Sequence, residues 1–390
     1  MSEWKEYRLG DIITIKSGFA YKGDMIGHGE NVLLGMGCVS FKERFLLSGA
    51  RAYAGDCADR YCANSGDIVL ATRQQSDNLP ILGMPAIIPS ELSEKRIIIG
   101  ANLYRVDNES DFSNEYIYWL LKTPLYVNHI RSCQSGTTVR MITKANIEDF
   151  RFKAPGREER NRISCFLKTL DDKIEVNRRI NDNLEQQAQA LFKSWFVDFE
   201  PFRNQPFTES ELGMIPEGWS VGTVGELIEI KYGKDHKKML DGEIPVYGSG
   251  GLMRRCERAL YNGESVLIPR KGTLNNVMYV NGAFWTVDTM FYSVPKIANV
   301  ILFTYLFLCS KDLASMNSGS AVPSMTTEIL NNMQIVVPTE GVMADFNTKV
   351  RSIYSQIRHG NEESGRLASL RDTLLPRLMS GEIKVEDVTL

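Results

Sequence analysis

Residues 157–199 form a stretch in which no proline or glycine interrupts a run of good helix formers such as Leu, Glu, Gln and Lys. Within it, apolar residues recur at alternating steps of four and three. This is the heptad pattern of a helix that packs lengthwise against another helix. At 1.5 Å per residue, roughly 40 residues form a rod roughly 60 Å long. Because such a rod cannot bury an apolar stripe alone, the sequence predicts a partner helix.

The predicted partner lies at the end of the same chain, where an offset of 183 residues reproduces the apolar stripe except at Arg371. The predicted seam residues share heptad spacing: Ile163, Leu167, Leu170, Ile174, Leu184 and Leu191 in the first helix, and Val350, Ile353, Ile357, Leu367 and Leu374 in the second. Both seams are polar in the middle, at Asn177 and Asn181 and at Gly360 and Ser364. These residues either fix the register, as a polar seam residue does in coiled coils, or mark a local imperfection of the helices.

The repeat extends beyond the helices. At the same offset, SGTTVRMITKANIEDFRFKAP (135–155) matches SGSAVPSMTTEILNNMQIVVP (318–338), and the sequence around Trp4 recurs around Trp219 at an offset of 215. The chain is therefore an internal duplication of a globular head followed by a long helix. Since the offset falls from 215 to 183 within the head, the first head carries 32 additional residues.

These features predict an α+β fold in which two similar mixed α/β domains are separated by two long α-helices. We expect the helices to pack as an antiparallel coiled coil with pseudo-two-fold symmetry. The predicted first head occupies residues 1–155, and the first helical region occupies residues 156–200. The second head covers residues 201–338 and begins with an extended linker at 201–217, and the second helical region covers residues 339–390.

Apolar patterning predicts individual elements within the heads. The alternation in IITIK predicts a strand that ends at Ser17, and IVLA (68–71) predicts a buried strand followed by a polar loop. Residues 114–130 predict a pair of helices broken at Pro124. The most apolar segment, residues 298–309, is too short to span a membrane and predicts a buried helix.

Composition restricts the function classes. A net charge of −3 excludes a generic polyanion binder, so any contact with nucleic acid requires a local concentration of basic residues. Residues 231–272 offer one, with nine Lys or Arg against five Asp or Glu. Seven scattered cysteines without a CxxC pair indicate reduced thiols in a cytoplasmic protein, and the sequence has no signal region or membrane-spanning run.

Both heads place a polar loop directly after a buried strand. VLATRQQSDNLP (69–80) in the first head matches VLIPRKGTLNNV (266–277) in the second, and a further polar loop is found in IPVYGSGG (244–251). Arg, Lys, Gln, Thr and Asn side chains suit base edges and phosphates. The alternative is that these loops are simply solvated, as most polar loops are. Their recurrence at equivalent places in both heads strengthens the interpretation as binding loops, and both interpretations stay open.

No motif for catalysis accompanies these loops. The sequence has no GxxxxGK[ST] phosphate loop, no GxGxxG after a strand and no HExxH. It also lacks the Asn/Asp-Pro-Pro-aromatic and Pro-Cys motifs of DNA methyltransferases, and its four histidines lie far apart. We therefore predict a chain that performs no chemistry by itself and holds no metal or cofactor.

Several segments resemble one known family, the specificity (S) subunits of type I restriction–modification systems. KTLDDKIEVNRRINDNLEQQAQALFKSWFVDFEPF (168–202) and LRDTLLPRLMSGEIKV (370–385) resemble its two helical spacers. DGEIPVYGSGG (241–251) and VLIPRKGTLNNVMYVNGAFWTVDT (266–289) resemble its target-recognition domains. The resemblance covers the whole chain, although ATRQQSDN in the first head departs from the PRKGT form of the second.

The resemblance implies a non-catalytic cytoplasmic subunit that binds double-stranded DNA and joins two DNA methyltransferase (M) subunits and two restriction/translocase (R) subunits. S-adenosylmethionine, ATP and Mg²⁺ are expected on those partners. Each head would read one half of an interrupted site, and the paired helices would set the gap. The candidate DNA-binding residues are basic and polar loop residues: Lys22, Arg73, Gln74, Gln75, Asn78, Thr137, Thr138, Arg140, Lys144, Lys237, Lys238, Tyr247, Ser249, Arg270, Lys271, Thr273, Asn275, Asn276, Ser320 and Ser324.

A function from a different class stays open at this point. The chain could be a non-catalytic coiled-coil scaffold whose heads bind protein or RNA. Such a scaffold would show no preference among duplex sequences and only a weak dependence of binding on salt. A self-sufficient enzyme is disfavoured because the catalytic motifs are absent from the sequence.

Overall fold

The computed structural model describes residues 4–75, 80–316 and 324–388. It divides into two compact units, residues 1–176 with 362–390 and residues 177–361. Each unit holds one head and one part of each of two long helices. The predicted fold class, mixed α/β heads combined with two long helices, is confirmed.

The first head is built from short strands and helices. Its strands are β1 (Lys5–Arg8), β2 (Ile13–Ser17), β3 (Ile26–Leu34), β4 (Ala50–Tyr53), β5 (Cys62–Ala63), β6 (Ile68–Ala71), β7 (Arg73–Gln74), β8 (Pro85–Ile87), β9 (Ile97–Ile99), β10 (Leu103–Asn108), β11 (Arg140–Met141) and β12 (Arg151–Ala154). Its helices are α1 (Asn114–Leu120), α2 (Pro124–Cys133) and α3 (Lys144–Glu148), and the long helix α4 (Arg157–Phe196) follows. One sheet has the order β2-β10-β6-β8 and another β4-β3-β9-β5.

The predicted elements of this head are present. Residues 68–71 form β6 and are fully buried. Pro124 separates the two predicted helices by beginning α2, where its missing N–H needs no partner. The Thr123 hydroxyl caps the same helix by accepting the Tyr126 N–H at 3.3 Å.

The second head is organised around one six-stranded sheet. Its strands are β13 (Phe207–Ser210), β14 (Gly213–Pro216), β15 (Ser220–Thr223), β16 (Ile228–Tyr232), β17 (Ile244–Gly248), β18 (Gly251–Cys256), β19 (Tyr261–Pro269), β20 (Met278–Thr286), β21 (Met290–Pro295) and β22 (Gln334–Val337). Its helices are α5 (Val224–Leu227), α6 (Val300–Cys309) and α7 (Thr327–Asn331), and the long helix α8 (Glu340–Ser380) follows. The sheet order is β16-β21-β19-β20-β17-β18, and α6 is the predicted buried helix.

The two heads share a scaffold but differ in strand continuity. β1 pairs with β12 in the first head as β15 pairs with β22 in the second. The long strands β19 and β20 correspond to two pairs of short strands, β5 with β6 and β8 with β9. A turn at Gly66, with φ of +87°, interrupts the first pair, and Pro89, which cannot donate to a ladder, lies within the second.

The predicted extended linker at 201–217 is wrong for most of its length. Its residues form a β-hairpin in which Phe207 lies opposite Pro216. The turn is closed by the Ser210 hydroxyl, which donates to the Gly213 carbonyl at 2.6 Å, and Gly213 adopts a φ of +96°. The prolines suggested an open chain, but Pro206 and Pro216 lie at the two ends of the hairpin, where no ladder bond is lost, and Pro201 lies in a short 3-10 helix at Glu200–Phe202.

In the first unit, the parts of α4 and α8 pack antiparallel. Lys173 pairs with Glu363 at an Nζ–Oε2 distance of 3.3 Å, while Asp171, earlier on α4, contacts Arg371, later on α8. The predicted seam residues of this unit, all buried or half-buried, are Ile163, Leu167, Leu170, Ile174, Leu367 and Leu374. The stripe therefore faces the interior.

In the second unit the pairing is again antiparallel. Asn181 Nδ2 donates to Asn361 Oδ1 at 2.9 Å, and the rings of Phe196 and Phe346 lie 4.7 Å apart. A Cβ at Gly360 would lie 2.8 Å from Asn181 Oδ1, so glycine leaves the space that the asparagine occupies. The predicted seam residues of this unit, also buried or half-buried, are Leu184, Leu191, Val350, Ile353 and Ile357.

A buried ion pair accounts for the one polar residue of the predicted second stripe. Arg371 and Asp171 are 7% and 5% exposed, and the Arg371 guanidinium donates to the Asp171 carboxylate. Arg44 of the first head lies 3.9 Å from Asp171 and donates two hydrogen bonds to Glu115, each 2.6 Å long. These charges link both helices to the head within the first unit.

Replacing Arg371 by Leu should lower the free energy of unfolding by about 3 kcal/mol, because Asp171 would remain buried with only the longer contact to Arg44. The double variant Asp171→Leu/Arg371→Leu should lose less than the single one, since no buried charge is left unpaired. Urea denaturation of the full chain measures both. The exposed Arg366→Leu on the same helix is the matched control, and an equal loss there would contradict the prediction.

Candidate nucleic-acid interface

In the first head, a short ladder holds the polar loop that follows β6. β7 and β11 pair antiparallel, with Gln74 opposite Arg140 and Arg73 opposite Met141. Two segments that lie far apart in the sequence, and that both supply candidate binding residues, are therefore side by side.

The second head repeats this arrangement. Lys271 forms an antiparallel bridge with Ser324. The Met325 N–H donates to the Arg270 carbonyl at 2.9 Å. The same two kinds of segment, the loop after a buried strand and the stretch before the last short helix, thus meet in both heads.

Strand register identifies equivalent residues of the two loops. Ala71, the last residue of β6, lies opposite Leu103, the first residue of β10. Pro269, the last residue of β19, lies opposite Met290, the first residue of β21. Since β10 and β21 hold the same place in the two sheets, Ala71 and Pro269 are equivalent.

This register shows that the alignment of VLATR with VLIPR is wrong by one residue. The counterpart of Arg73 is Lys271, and the counterpart of Arg270 is Thr72. The Val-Leu pair and the arginine that the two segments share favoured the other alignment. Strand pairing, however, decides which residues are structurally equivalent. A slip of one residue moves each side chain to the opposite face of its sheet.

In each head, the residue after the first strand of the main sheet is a glycine whose backbone lies very close to another backbone segment. A Cβ at Gly233, just after β16, would lie 2.0 Å from the Val287 carbonyl oxygen, and the Lys234 N–H donates to the Thr286 carbonyl at 2.9 Å. Gly18, just after β2, makes the same approach in the first head, where a Cβ would lie 2.1 Å from a backbone oxygen. Only glycine permits these contacts.

Arg270 and Lys271 are fixed through their backbone. Both N–H groups donate to the Thr289 carbonyl, at 2.9 and 3.2 Å. The Arg270 guanidinium lies 5.3 Å from the ring centroid of Tyr232, in cation–π geometry, and donates to the Asp288 carbonyl at 3.3 Å. Sequence reasoning missed Tyr232, which is 52% exposed. A signal was available, since Tyr232 is an aromatic residue at the end of an alternating strand and directly before a glycine.

Two asparagine candidates use their amide groups within the protein. Asn275 donates to Asp312 Oδ1 at 2.9 Å and accepts the Ala314 N–H at 2.9 Å. The hydrogen bond from Asn275 lowers the pKa of Asp312. Asn276 donates to the Ser249 carbonyl at 2.8 Å, which ties the loop after β17 to the loop after β19. These side chains shape the surface.

The first head shows the same division. Gln74 is 7% exposed, and its side-chain oxygen accepts the Leu82 N–H at 3.3 Å, so it holds the loop. Lys144 Nζ lies 5.9 Å from the ring centroid of Tyr104, a second aromatic residue that sequence reasoning missed. Burial raises the pKa of Tyr104, while the nearby charge of Arg73 opposes that rise.

The remaining candidates fall into three groups. Lys22 contacts the other sheet of the first head, where its N–H donates to the Tyr53 hydroxyl at 3.3 Å. The exposed candidates in loops are Gln75, Thr137, Thr138, Lys237, Lys238 and Thr273, and Tyr247 is half-buried at the end of β17. Asn78 and Ser320 lie outside the described residues.

Part of the basic window is structural. Arg254 donates to the Met239 carbonyl at 2.8 Å, and Arg255 donates to the Glu243 carbonyl at 2.6 Å. Arg258 also contacts Met239, through an Nε–Sδ distance of 3.4 Å. Arg254 and Arg255 therefore brace the β17–β18 hairpin. Arg255 and Arg258 are nevertheless exposed, and the other exposed cations of the window lie in the loops after β16 and β19.

The described residues hold neither a metal-binding cluster nor a membrane-spanning helix. No group of three or more His, Cys, Asp or Glu that could hold a metal ion is found in the described part of the chain. Within 4–75, 80–316 and 324–388, no helix is long and apolar enough to cross a membrane.

Comparisons with known proteins agree on one family. The family model described as "Type I restriction modification DNA specificity domain" matches residues 1–186 and 216–353. The type I restriction enzyme MjaIX specificity subunit of Methanocaldococcus jannaschii is 25% identical over 307 residues, which cover 70% of each chain. The type I restriction enzyme HindI specificity subunit of Haemophilus influenzae is 24% identical over 475 residues, with 98% of this chain and 100% of that protein covered.

A solved structure supports the fold. The type I restriction–modification system S subunit from M. genitalium aligns with a TM-score of 0.58 and 16% identity, over 97% of this chain and 96% of that one. At this identity the likeness concerns the fold alone.

Replacing Gly233 by Ala should destabilise the second head by about 1–3 kcal/mol, because the new Cβ would collide with the Val287 carbonyl. Hydrogen–deuterium exchange should then accelerate at the Lys234 amide, whose bond to Thr286 depends on the approach. Gly250→Ala is the control, since no atom lies within 4 Å of a Cβ built there. Equal effects of the two substitutions would contradict the prediction.

Proposed function

Because the chain belongs to the type I restriction–modification DNA specificity family, we propose that each of its heads reads one half of an interrupted site in double-stranded DNA. Its relatives are named specificity subunits of type I restriction enzymes, and the chain has the same role, without catalysis of its own. The duplicated loop arrangement carries the proposal, since the bridges of Arg73 and Lys271 recur at equivalent register. A scaffold repeated with different side chains suits the reading of two different sequences.

The side chains on these loops have the chemistry that a duplex requires. Exposed lysines and arginines bind phosphates, and threonine, glutamine and arginine bind base edges. The Arg270 guanidinium is held in place by its contacts with Tyr232 and Asp288. A planar fork fixed in this way loses little freedom when it donates two hydrogen bonds to guanine.

The proposal extends to the assembly. Two M subunits, which bind S-adenosylmethionine, and two R subunits, which use ATP and Mg²⁺, join this chain in the cytoplasm. The helices α4 and α8 carry the heads and set the gap between the half-sites. Support comes from the antiparallel packing of the helices within each unit and from relatives named as specificity subunits of type I restriction enzymes.

Co-expression of the chain with the methyltransferase encoded beside it should yield a new two-part motif in the host DNA, with a methylated adenine in each half. Sequencing of modified bases measures this. Exchange of residues 1–155 for another such head should change one half of the motif only.

The same experiment separates the competing functions. A changed gap with both halves intact would contradict the assignment of one head to one half-site. A purifiable complex that adds no modification, together with binding that ignores duplex sequence and salt, would favour a scaffold for protein or RNA.

Inserting four residues at facing positions of α4 and α8 should lengthen the gap in the motif by about one or two base pairs. Four residues extend a helix by roughly 6 Å, and a base pair rises about 3.4 Å. A four-residue insertion is a stutter that a coiled coil accommodates by local unwinding. Insertion of four residues into the β13–β14 turn is the control, and an unchanged gap in the helix variant would refute the helical ruler.

A further inference from the structure

The two heads carry a cation at the same place in the hydrogen-bond register. Arg73 lies opposite Met141 in the first head, and Lys271 lies opposite Ser324 in the second. Both side chains are exposed. The backbone of each residue is fixed by an equivalent bridge. The side chains of Arg73 and Lys271 therefore start from equivalent backbone positions in the two heads.

The residues on either side of the shared cation differ between the heads. Thr72 is 6% exposed and donates its hydroxyl to the Asn102 carbonyl at 3.1 Å, whereas Arg270 occupies the equivalent place in the second head. On the other side, the buried Gln74 corresponds to Gly272. The two heads thus share a positive charge at one position, while the positions before and after it carry different residues.

We infer that Arg73 and Lys271 are equivalent phosphate contacts, which hold each head on duplex DNA whatever its sequence, and that Arg270 is a specificity contact of the second head alone. This inference rests on the proposed function, in which the two heads read different half-sites.

The physical argument concerns what changes between the half-sites. A base-reading residue has to change with the base, but the phosphates are the same in every half-site. An arginine fork and a lysine ammonium differ in shape and in the number of donors, yet both bind phosphate. A position that accepts either cation in the same backbone setting matches the phosphate, whereas a position that carries a buried threonine in one head and an arginine in the other does not.

The test is the salt dependence of DNA binding by the full chain in complex with its methyltransferase subunit. Arg73→Ala and Lys271→Ala should each reduce the slope of log K against log salt by about 0.9, and the double variant by about 1.8. Each lost phosphate contact removes the release of about 0.9 counterion. Affinity should fall by the same factor on every duplex, and the methylated motif should stay unchanged.

Four control variants keep the measurement interpretable. Arg73→Lys and Lys271→Arg preserve the charge and should retain the wild-type slope. Lys153→Ala on β12 and Lys349→Ala on α8 remove exposed lysines from other parts of the heads and helices, and they should leave the slope unchanged. A loss of slope in these last two would overturn the assignment, because the effect would then follow net charge rather than position.

Base readout has a different signature. Loss of one base from the motif in Arg73→Ala or Lys271→Ala would overturn the phosphate assignment, and so would an unchanged slope. Arg270→Ala should relax one position in one half of the motif about tenfold or more. A motif that Arg270→Ala leaves intact would overturn its specificity role. Absence of sequence-specific binding by the wild-type complex would overturn the proposed function itself, and the wild-type measurement shows this before any variant is compared.

Discussion

Antiparallel pairing of α4 and α8 is the constraint on which the rest of the structure depends. Neither helix can bury its apolar stripe alone, and each contributes to both units. The two pairs meet this demand with different chemistry. Asp171 and Arg371 form a buried ion pair in the first unit, but the positions equivalent by the 183-residue offset, Tyr354 and Ala188, lie in the apolar core of the second. Loss of either ion-pair partner leaves a buried charge, so a single substitution at Asp171 or Arg371 costs the first seam an unpaired charge that Tyr354 and Ala188 cannot leave in the second.

The sequence predicted what depends on periodicity and missed what depends on distant partners. A heptad stripe is buried only when its helix packs against another helix, so the two long helices were predictable. The apolar run that forms α6 was predictable from its composition. Asn275 looked like a binding residue because composition identifies an amide, but its partner, Asp312, is supplied by a different part of the head. The equivalence of Arg73 and Lys271 was hidden for a similar reason, since neither residue encodes the strand register that sets it.

The heads conserve a backbone constraint while most other features diverge. Gly18 and Gly233 make the same close approach, and the ladder of Arg73 is repeated at Lys271. The strands around these contacts are continuous in the second head and interrupted in the first. The loops therefore occupy equivalent positions in the two heads although the strands around them differ in continuity. A scaffold that positions variable recognition loops is expected to have this property.

A net charge of −3 makes the placement of the cations decisive. Charges separated by more than about 8 Å are largely screened at physiological salt, so distant acidic residues weaken an exposed loop cation only slightly. Arg254 and Arg255 donate to carbonyl oxygens beside their own hairpin, and Arg73 and Lys271 are exposed where their loops are fixed by backbone bonds. Residues beside these cations can then change with the half-site, as Thr72 and Arg270 do, without loss of the contact that holds the head on the duplex.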